Sequence, residues 1–472
     1  MSTFSGLNTA TTALWAQQRG LDVTGQNIAN VNTPGYSRQR AELQSVGGNA
    51  VPAMTSISNQ VGQGVDADKI TRIRDAFLES RAQTEGASTA QMTVADDTLA
   101  QIEQAFREPG ETGISQKLTD VFTSWNDLAN NPTGDGARAA VLNKTATLVA
   151  ELHTTGANLD KQWVQTRDSL DTLTQGVNAK AQSIAGLNIA IKRATQAGLP
   201  VNELADKRDG LVLELSAAIG ATSTPGSDGQ VNVVVAGSTL ISGGSTIAIK
   251  AVGTKDPKSA TLSNPSFVTD PGGTMLTIGG TAGGKLTALA QTIPSYRTAL
   301  DGVAKQLATE LNATHAAGFD KAGAAGEPLF DDGSGTLPVD VTTITAGNLT
   351  LRITDTAKLA AAVTGPGPSS DGRNATALSK LKDLAASTPE AYRKLIVSLG
   401  VQASVATSNL QTQTVISSQV DASRESVSGI NIDEEMTNML QFQHAYSAAA
   451  RMITTIDETL DVLINRTGRV GL

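Results

Sequence analysis

The sequence contains no cysteine among its 472 residues, and only 3% of its residues are aromatic. The absence of cysteine excludes a disulfide framework and any metal site built on thiolates. The scarcity of Phe, Tyr and Trp argues against one large core, because these residues bury the most area each. Small residues are abundant instead, with 45 glycines. This composition favours closely packed helices and several small cores.

Charge is also scarce, since 17% of the residues are charged and the formal net charge is −9. No basic stripe runs through this acidic chain, which excludes the usual nucleic-acid-binding classes. No stretch approaches the roughly eighteen consecutive apolar residues of a membrane helix, so we expect no membrane span. No apolar segment follows a basic one near the amino terminus. We therefore expect any export to use a route without a cleaved signal peptide.

The amino-terminal segment, residues 4–31, is predicted to form a helix with little charge. Arg19 and Asp22 are the only Lys, Arg, Asp or Glu residues between positions 2 and 33. A solvated surface helix normally carries many more charges, so this helix should be covered on most sides. Four apolar residues repeat every seven positions and predict one line of a coiled-coil seam: Leu7, Leu14, Leu21 and Ile28.

The carboxy-terminal segment has a stronger pattern of the same kind. Apolar residues alternate in steps of three and four, which predicts an unbroken coiled-coil seam. Its positions are Met439, Phe442, Tyr446, Ala449, Ile453, Ile456, Leu460 and Leu463. Further apolar residues lie off this seam, so we expect one stripe to pair with the amino-terminal helix and a second surface to meet another copy of the protein.

The region between the ends is predicted to be mainly helical with β-rich insertions. Periodicity predicts a strand leading into a helix over 61–81, a loop over 130–136, and helices over 90–129, 137–197, 203–219, 285–316 and about 374–428. Runs rich in Gly, Ser, Thr and β-branched residues predict strands over 221–280 and 326–364. The expected fold class is mainly α with a β-rich insert, a multidomain α+β chain with a long-helix bundle as its body.

The sequence offers no constellation for catalysis or metal binding. His153, His315 and His444 have no second ligand at metal-site spacing, and we expect them to be surface or boundary residues. The acidic run at 432–436 is expected to cap a helix, because negative charge favours a helix amino terminus. We therefore predict that the chain is not an enzyme and has no cofactor and no metal.

The turn sequence "ANVNTPGYSRQR" follows the first predicted helix. Its residues are typical of a helix end, because Asn tolerates a left-handed backbone conformation and Pro cannot continue a helix. The motif resembles the signature shared by rod, hook and hook-associated proteins of the bacterial flagellum. The opening "GLNTATTALWAQQRGLDVTGQNIAN" and the ending "SGINIDEEMTNMLQFQHAYSAAARMITTIDETLDVLIN" resemble the flagellar hook-associated protein 1, or hook–filament junction protein, family. The residues assigned to the axial-protein motif are Ala29, Asn30, Asn32, Thr33, Pro34, Gly35, Tyr36 and Arg38.

The resemblance implies a domain order and a set of partners. Residues 1–35 with 430–472 would form an inner coiled-coil domain, 36–220 with 281–325 and 372–429 a long-helix body, and 221–280 with 326–371 an outer β-rich domain. The turn at Pro34 would re-aim the chain from the inner helix towards the body. The implied partners are further copies in a ring, the hook protein, the next hook-associated protein on the filament side and an export chaperone. The implied location is the extracellular flagellum, reached through type III export.

Three other hypotheses for the function remain open. A hook or distal rod subunit would share the terminal motifs, but rod proteins are generally shorter and hook proteins generally lack a helix like that predicted at 137–197. A secreted enzyme on a flagellar scaffold would need a catalytic group in the insert, and residues 221–280 contain no His, Cys or Glu. An unrelated coiled-coil surface protein would not be expected to carry flagellar signatures at both ends.

Overall fold

A computed structural model describes residues 3–46, 62–259, 263–365 and 370–466. Ten α-helices dominate these residues, as the sequence predicts for a mainly α chain with a β-rich insert. The helices are α1 Thr3–Ala29, α2 Ala76–Phe106, α3 Ile114–Asn130, α4 Asp135–Gln196, α5 Asn202–Ile219, α6 Gly280–Thr287, α7 Ile293–Ala316, α8 Arg373–Lys380, α9 Thr388–Ser428 and α10 Ile432–Asp461.

Eleven short strands in the described residues complete the regular structure. They are β1 Gln39–Val46, β2 Gly64–Arg72, β3 Thr222–Pro225, β4 Val231–Val235, β5 Ser238–Ser242, β6 Ser245–Thr246, β7 Ala248–Val252, β8 Ser266–Asp270, β9 Met275–Leu276, β10 Phe330–Asp331 and β11 Thr350–Leu351. All of their pairings are antiparallel, in the order β1-β2, β3-β4-β5-β6, β7-β8-β9 and β10-β11.

The body of the molecule is organised on α4, a single helix of 62 residues. The predicted loop at 130–136 ends α3, and Gly134 caps α4 in an extended conformation. Leu152 and Leu159, seven residues apart on α4, are fully buried. At 1.5 Å per residue α4 is about 93 Å long, so it contacts helices at one end and the β-rich insert at the other.

Two predicted helices are each broken into two elements. The run predicted at 90–129 stops at Phe106, because Arg107 adopts a left-handed conformation (φ 53°) and Pro109 follows. The run predicted at 374–428 is interrupted between α8 and α9, where Pro389 lies in the first turn of α9. In both places a residue that ends or begins a helix sits within an otherwise helical pattern.

The β-rich stretch from 221 to 280 lies against the carboxy-terminal half of α4. Two asparagine side chains of α4 attach it: Asn188 hydrogen-bonds both main-chain groups of Val231, and Asn178 does the same with Ile249. These side chains satisfy main-chain hydrogen-bonding groups of strands β4 and β7. The prediction of strands here is confirmed, with β3 to β9 falling within the predicted range.

The prediction of strands over 326–364 is largely wrong, because only β10 and β11, of two residues each, form in the described part. Helix side chains, rather than neighbouring strands, satisfy the main chain of this segment. Asn312 hydrogen-bonds both main-chain groups of Phe330, and Arg138 donates to Thr356 O (3.0 Å) and Leu359 O (2.8 Å). The segment is therefore a set of loops attached to α4 and α7.

His315 corrects the expectation that the histidines are surface or boundary residues. Its side chain is fully buried at the end of α7, and the Ala360 N–H donates to Nε2 at 2.9 Å. The other ring nitrogen, Nδ1, therefore carries the proton and donates to Glu327 O at 2.6 Å. Burial is the main cause that lowers the pKa of His315 below its usual value of 6.5.

This buried neutral histidine predicts a pH dependence of stability. Below about pH 6.5 the unfolded chain binds a proton at this position and the folded chain does not, so the free energy of unfolding should fall as the pH drops through that value. We expect a His315→Gln variant to lose part of the fall in melting temperature between pH 7.5 and 5.5. The exposed His444, changed to Gln, is the control. An unaltered pH profile in the His315→Gln variant would contradict this assignment.

Candidate assembly interface

Helices α1 and α10 pack against each other in one antiparallel register. A Cβ built on Gly6 would lie 3.5 Å from Ile456 Cδ1, and one built on Gly20 would lie 2.6 Å from the Phe442 ring. At the far end, Asn27 Nδ2 donates to Glu435 Oε2 at 3.0 Å. Each step of seven or fourteen residues along α1 matches the same step backwards along α10. The pair is therefore in constant register from one end to the other.

The predicted seam of α10 faces α1 over most of its length. Ala449 is 8% exposed, and the other seam residues from Met439 to Leu460 are half-buried. Leu463 is the exception, because it lies beyond α10 in a π-helical turn, Val462–Arg466, and is 52% exposed. The predicted seam is thus placed on one side of the helix, with its last member outside the contact.

The predicted seam of α1 lies beside the line of closest contact. Leu7, Leu14, Leu21 and Ile28 are all half-buried. The residues that precede them by one position face α10 directly, since Gly6, Gly20 and Asn27 contact Ile456, Phe442 and Glu435. Small residues let the two backbones approach, and the larger side chains of α10 fill the space.

Gly20 provides a direct test of this close approach. A Gly20→Ala side chain would meet the Phe442 ring at 2.6 Å, whereas Gly25, also in α1, has nothing within 4 Å of a Cβ. We expect Gly25→Ala to stabilise α1 by about 0.5–1 kcal/mol, the usual gain of Ala over Gly in a helix. Gly20→Ala should lose that gain or destabilise, because Phe442 must move. Hydrogen exchange of α1 amides measures the difference, and equal protection in the two variants would contradict the register.

Several apolar side chains of α10 that lie outside its contact with α1 remain exposed. Leu440 and Met436 are each 56% exposed, and Met452 is 51% exposed. On α1, the Trp15 side chain is 65% exposed. Scattered exposed apolar residues are normal, but several on a helix pair that carries no charge between residues 440 and 450 mark a contact surface. The paired helices therefore present a second surface that they do not cover themselves.

The axial-protein motif forms the turn at the end of α1. Ala29 is the last helical residue, Asn30 N–H donates back to Gln26 O, and Gly35 adopts a left-handed conformation (φ 78°). Asn32, Thr33 and Pro34 are exposed within this turn. The turn directs the chain into β1, which pairs with β2.

Tyr36 and Asn27 tie this turn back to the helix. The Tyr36 hydroxyl donates to Asn27 Oδ1 at 3.0 Å, and the Gln39 main-chain N–H donates to the same oxygen at 3.0 Å. Burial, together with the carboxylates of Asp206, Glu203 and Glu435, raises the pKa of Tyr36 to about 12. The phenol is therefore neutral and remains a hydrogen-bond donor at ordinary pH.

Arg38 and Glu435 form a buried ion pair between the motif and α10. Arg38 Nε lies 2.7 Å from Glu435 Oε1, and the Glu435 side chain is 2% exposed. The second carboxylate partner of Arg38 is Glu434, at 2.9 Å, which is 59% exposed. Asn431 caps α10 by accepting from the Asp433 and Glu434 N–H groups. The acidic run was expected only to cap a helix, but two members of it, Glu434 and Glu435, bind the motif.

A second polar cluster joins the motif to the body. Ser37 Oγ donates to Asp206 Oδ1 at 2.9 Å, and Arg72 contacts both Asp206 and Asp209 at 2.8 Å. Arg74 pairs with Asp209 and, at 2.5 Å, with Glu79 of α2. Burial opposes ionisation of Asp209, but the neighbouring arginines outweigh it and hold its pKa below the usual value. The inner helices, the β1–β2 hairpin, α5 and α2 are thereby linked by ion pairs.

Sequence reasoning missed Asn27, Glu435 and Asp206, which are central to these two clusters. Ser37 and Asp206 are 169 residues apart, and Asn27 and Glu435 are 408 apart. No local periodicity connects positions at such separations. The only sequence signal for this contact is that polar Asn27 on α1 and acidic Glu435 on α10 occupy matching heptad positions of the two helices.

The described residues contain no group of three or more His, Cys, Asp or Glu side chains that could hold a metal ion. None of their helices has the length and apolar character needed to cross a membrane. His153 Nε2 lies 2.9 Å from the main-chain oxygen of Leu349, and His444 is exposed on α10.

Three protein-family models match this chain. Residues 99–330 match the flagellar hook-associated protein FlgK helical domain. Residues 7–36 match the flagella basal body rod protein family, and residues 422–466 match the flagellar basal body rod FlgEFG protein C-terminal family. The terminal matches coincide with α1, its turn and α10.

Curated relatives and a solved structure agree with these matches. The chain is 30% identical to flagellar hook-associated protein 1 of Bacillus subtilis, over 100% of this chain and 99% of that protein. It is 26% identical to flagellar hook-associated protein 1 of Escherichia coli, over 97% and 99% of the two chains. The flagellar hook junction protein FlgK from Burkholderia pseudomallei has a similar fold, with a TM-score of 0.62 at 18% identity, covering 75% of this chain and 100% of that one.

Proposed function

This chain belongs to the flagellar hook-associated protein 1 family and is a structural component of the bacterial flagellum rather than an enzyme, and from that membership we propose that it assembles as a ring joining the hook to the filament. The resemblance found in the terminal motifs is thereby confirmed at the level of the family. The single observation that carries the proposal is the combination of paired axial-type ends with a matched hook-associated helical domain at residues 99–330.

The alternative, a hook or distal rod subunit, rests on the terminal segments alone. Those segments match rod families, and residues of this chain are 41% identical over 83 residues to a rod protein, FlgG of Caulobacter vibrioides. That match covers only 15% of this chain, whereas the hook-associated relatives match nearly all of it. The helical body therefore favours the junction over the rod.

The contacts within the subunit support three domains with different positions in the assembly. We infer that residues 1–35 with 430–472 form the inner domain, that 36–220, 281–325 and 372–429 form the body, and that 221–280 with 326–371 face outwards. Paired α1 and α10 would line the tube, and the ion pairs at Arg38 and Asp206 would fix their direction relative to the body. The hook protein and the next hook-associated protein would contact opposite ends of the ring.

Low charge at both ends suits export in an unfolded state. The segment from Leu440 to Ala450 has no Lys, Arg, Asp or Glu, and Leu440 within it is 56% exposed. Such a segment needs cover before assembly, which fits an export chaperone holding the carboxy-terminal helix.

Deletion of the gene tests the junction role. We expect cells that carry hooks without filaments and release flagellin into the medium, as seen by electron microscopy and an assay of the supernatant. Absent hooks would instead assign the chain to the rod or hook. Intact filaments would overturn the proposal altogether.

A further inference from the structure

Four elements, α1, β1, β2 and α10, pack on one another and form what we call the inner unit. Helices α1 and α10 lie side by side, and both strands of the hairpin pack on α1. The Asn27 side-chain amide donates to Gln39 O at 2.9 Å, which ties the start of β1 to α1. The hairpin therefore forms one unit with the inner helices, although its residues lie within the range assigned above to the body.

The inner unit has a small core of its own, separate from that of the body. Its buried apolar side chains are Ala10, Ala16, Val23, Ala67 and Ala449. Among the described residues, the main core is built from side chains between Leu99 and Leu399, and no apolar side chain of the inner unit belongs to it or packs against it. In the same residues, no helix or strand of the inner unit packs along a helix of the body. A rotation of the whole unit would therefore expose little apolar surface.

The chain passes between the inner unit and the body at two adjacent places. Residues 73–75 connect β2 to α2, and residues 429–431 connect α9 to α10. The main chain of Arg38 lies between these connections, since its N–H donates to Ser428 O at 3.0 Å and its carbonyl accepts from the Ile73 N–H at 2.8 Å. Two short connections side by side form the arrangement of a hinge, in which a few residues at the ends of elements absorb a rotation.

The side-chain contacts that set the direction of the inner unit are polar and are made to α5. Arg72 of β2 lies 2.8 Å from both Asp206 and Asp209. Ser37 donates to Asp206 at 2.9 Å, and Arg74, in the connection itself, also pairs with Asp209. Helix α5 belongs to the body, because the apolar side chains of its carboxy-terminal half lie in the main core. The carboxylates of α5 therefore hold the inner unit from the body side.

We propose that this connection is a hinge locked by ion pairs, about which the inner unit turns against the body when Arg72 leaves α5. Asn202 of α5 also contacts the unit, donating to the Gln39 side-chain oxygen at 2.9 Å. Water can replace each of these polar partners when the unit turns. Polar interfaces within a chain permit domain motion, whereas large apolar interfaces prevent it. The hinge is a property of the single subunit, so it goes beyond the junction role proposed above and does not depend on it.

Distance measurement between two spin labels by pulsed electron paramagnetic resonance tests the hinge in the full chain. The chain has no cysteine, so Gln411→Cys with Arg451→Cys places one label on an exposed position of α9 and one on an exposed position of α10. We expect a narrow distance distribution in this parent protein, and one at least about twofold wider when Arg72→Gln is added. Arg393→Gln is the matched control, because it removes an exposed arginine paired within α9, and it should leave the distribution unchanged.

A second label pair and a second variant separate a turn of the inner unit from its unfolding. Labels at Gln18 and Arg451 lie on exposed positions of α1 and α10, and their narrow distribution should survive Arg72→Gln, because the inner core is unchanged. Asp206→Asn removes the body side of the same contact and should also widen the Gln411–Arg451 distribution. A Gln411–Arg451 distribution in Arg72→Gln as narrow as the parent's would overturn the proposal. A wide Gln18–Arg451 distribution, in the parent or in Arg72→Gln, would overturn it as well, since a hinge needs a folded unit on each side.

Discussion

Replacing Ile453 and Leu460 by aspartate is expected to abolish filament formation while leaving export intact. Both side chains are half-buried on the side of α10 that packs on α1. Two carboxylates in this apolar contact would cost several kcal/mol, because a buried charge without a partner is strongly unfavourable. The variant should therefore appear in the medium, with its body folded, and the cells should carry hooks without filaments.

A conservative pair of substitutions at the same positions controls for the loss of the native side chains. Ile453→Val with Leu460→Met keeps the contact apolar and changes its volume little, which usually costs less than 1.5 kcal/mol. We expect filaments in this control. Normal filaments in the aspartate variant would show that these residues do not form the seam.

Replacing Glu435 by alanine is expected to separate the start of α10 from the turn after α1. The change leaves Arg38 and Asn27 without their buried partner. Removing one member of a buried ion pair costs about 3–5 kcal/mol, and the partial exposure of Arg38 places this case near the lower figure. At about 3 kcal/mol, the last turns of α1 should exchange their amide hydrogens at least about a hundredfold faster.

Glu434→Ala is the matched control, since Glu434 binds the same arginine from an exposed position. Exposed ion pairs contribute about 0–1 kcal/mol, so amide exchange in α1 should change by less than about fivefold. Equal effects of the two substitutions would contradict the role given to Glu435. A double-mutant cycle with Arg38→Ala would then isolate the coupling of the pair.

The elements that the sequence predicts well are those with long, uninterrupted periodicity. The 62-residue α4 and the α10 seam follow directly from apolar residues at helical spacing. The line of contact on α1 is harder to predict from the sequence. Glycine at positions 6 and 20 indicates weak helix propensity and does not by itself indicate a helix–helix contact. Its meaning depends on Ile456 and Phe442, which lie more than four hundred residues away.

The failures share a physical cause, which is competition between local pattern and distant contacts. The segment 326–364 has strand-like composition, yet Asn312 and Arg138 hydrogen-bond its main chain in place of neighbouring strands. His315 was expected near the surface, but it bridges Glu327 and Ala360 inside the body. Tertiary hydrogen bonds of this kind leave no periodic signal in the sequence.

The axial-protein motif continues past the helix end to Arg38 because Arg38 forms ion pairs with α10. Pro34 and Gly35 account for the turn, but the direction of the chain after it depends on Tyr36, Ser37 and Arg38. Each contacts a different element, namely α1, α5 and α10. The motif thus fixes the inner helices to the body, whereas the turn alone would leave their relative direction undetermined.

Labelling the assembled flagellum tests the central claim most directly. An epitope inserted between Gly272 and Gly273, in the exposed turn between β8 and β9, leaves the helices untouched. Immunogold electron microscopy of the complemented deletion strain should then show label confined to the boundary between hook and filament. Label along the hook, along the filament or within the rod would contradict the assignment of this chain to the junction.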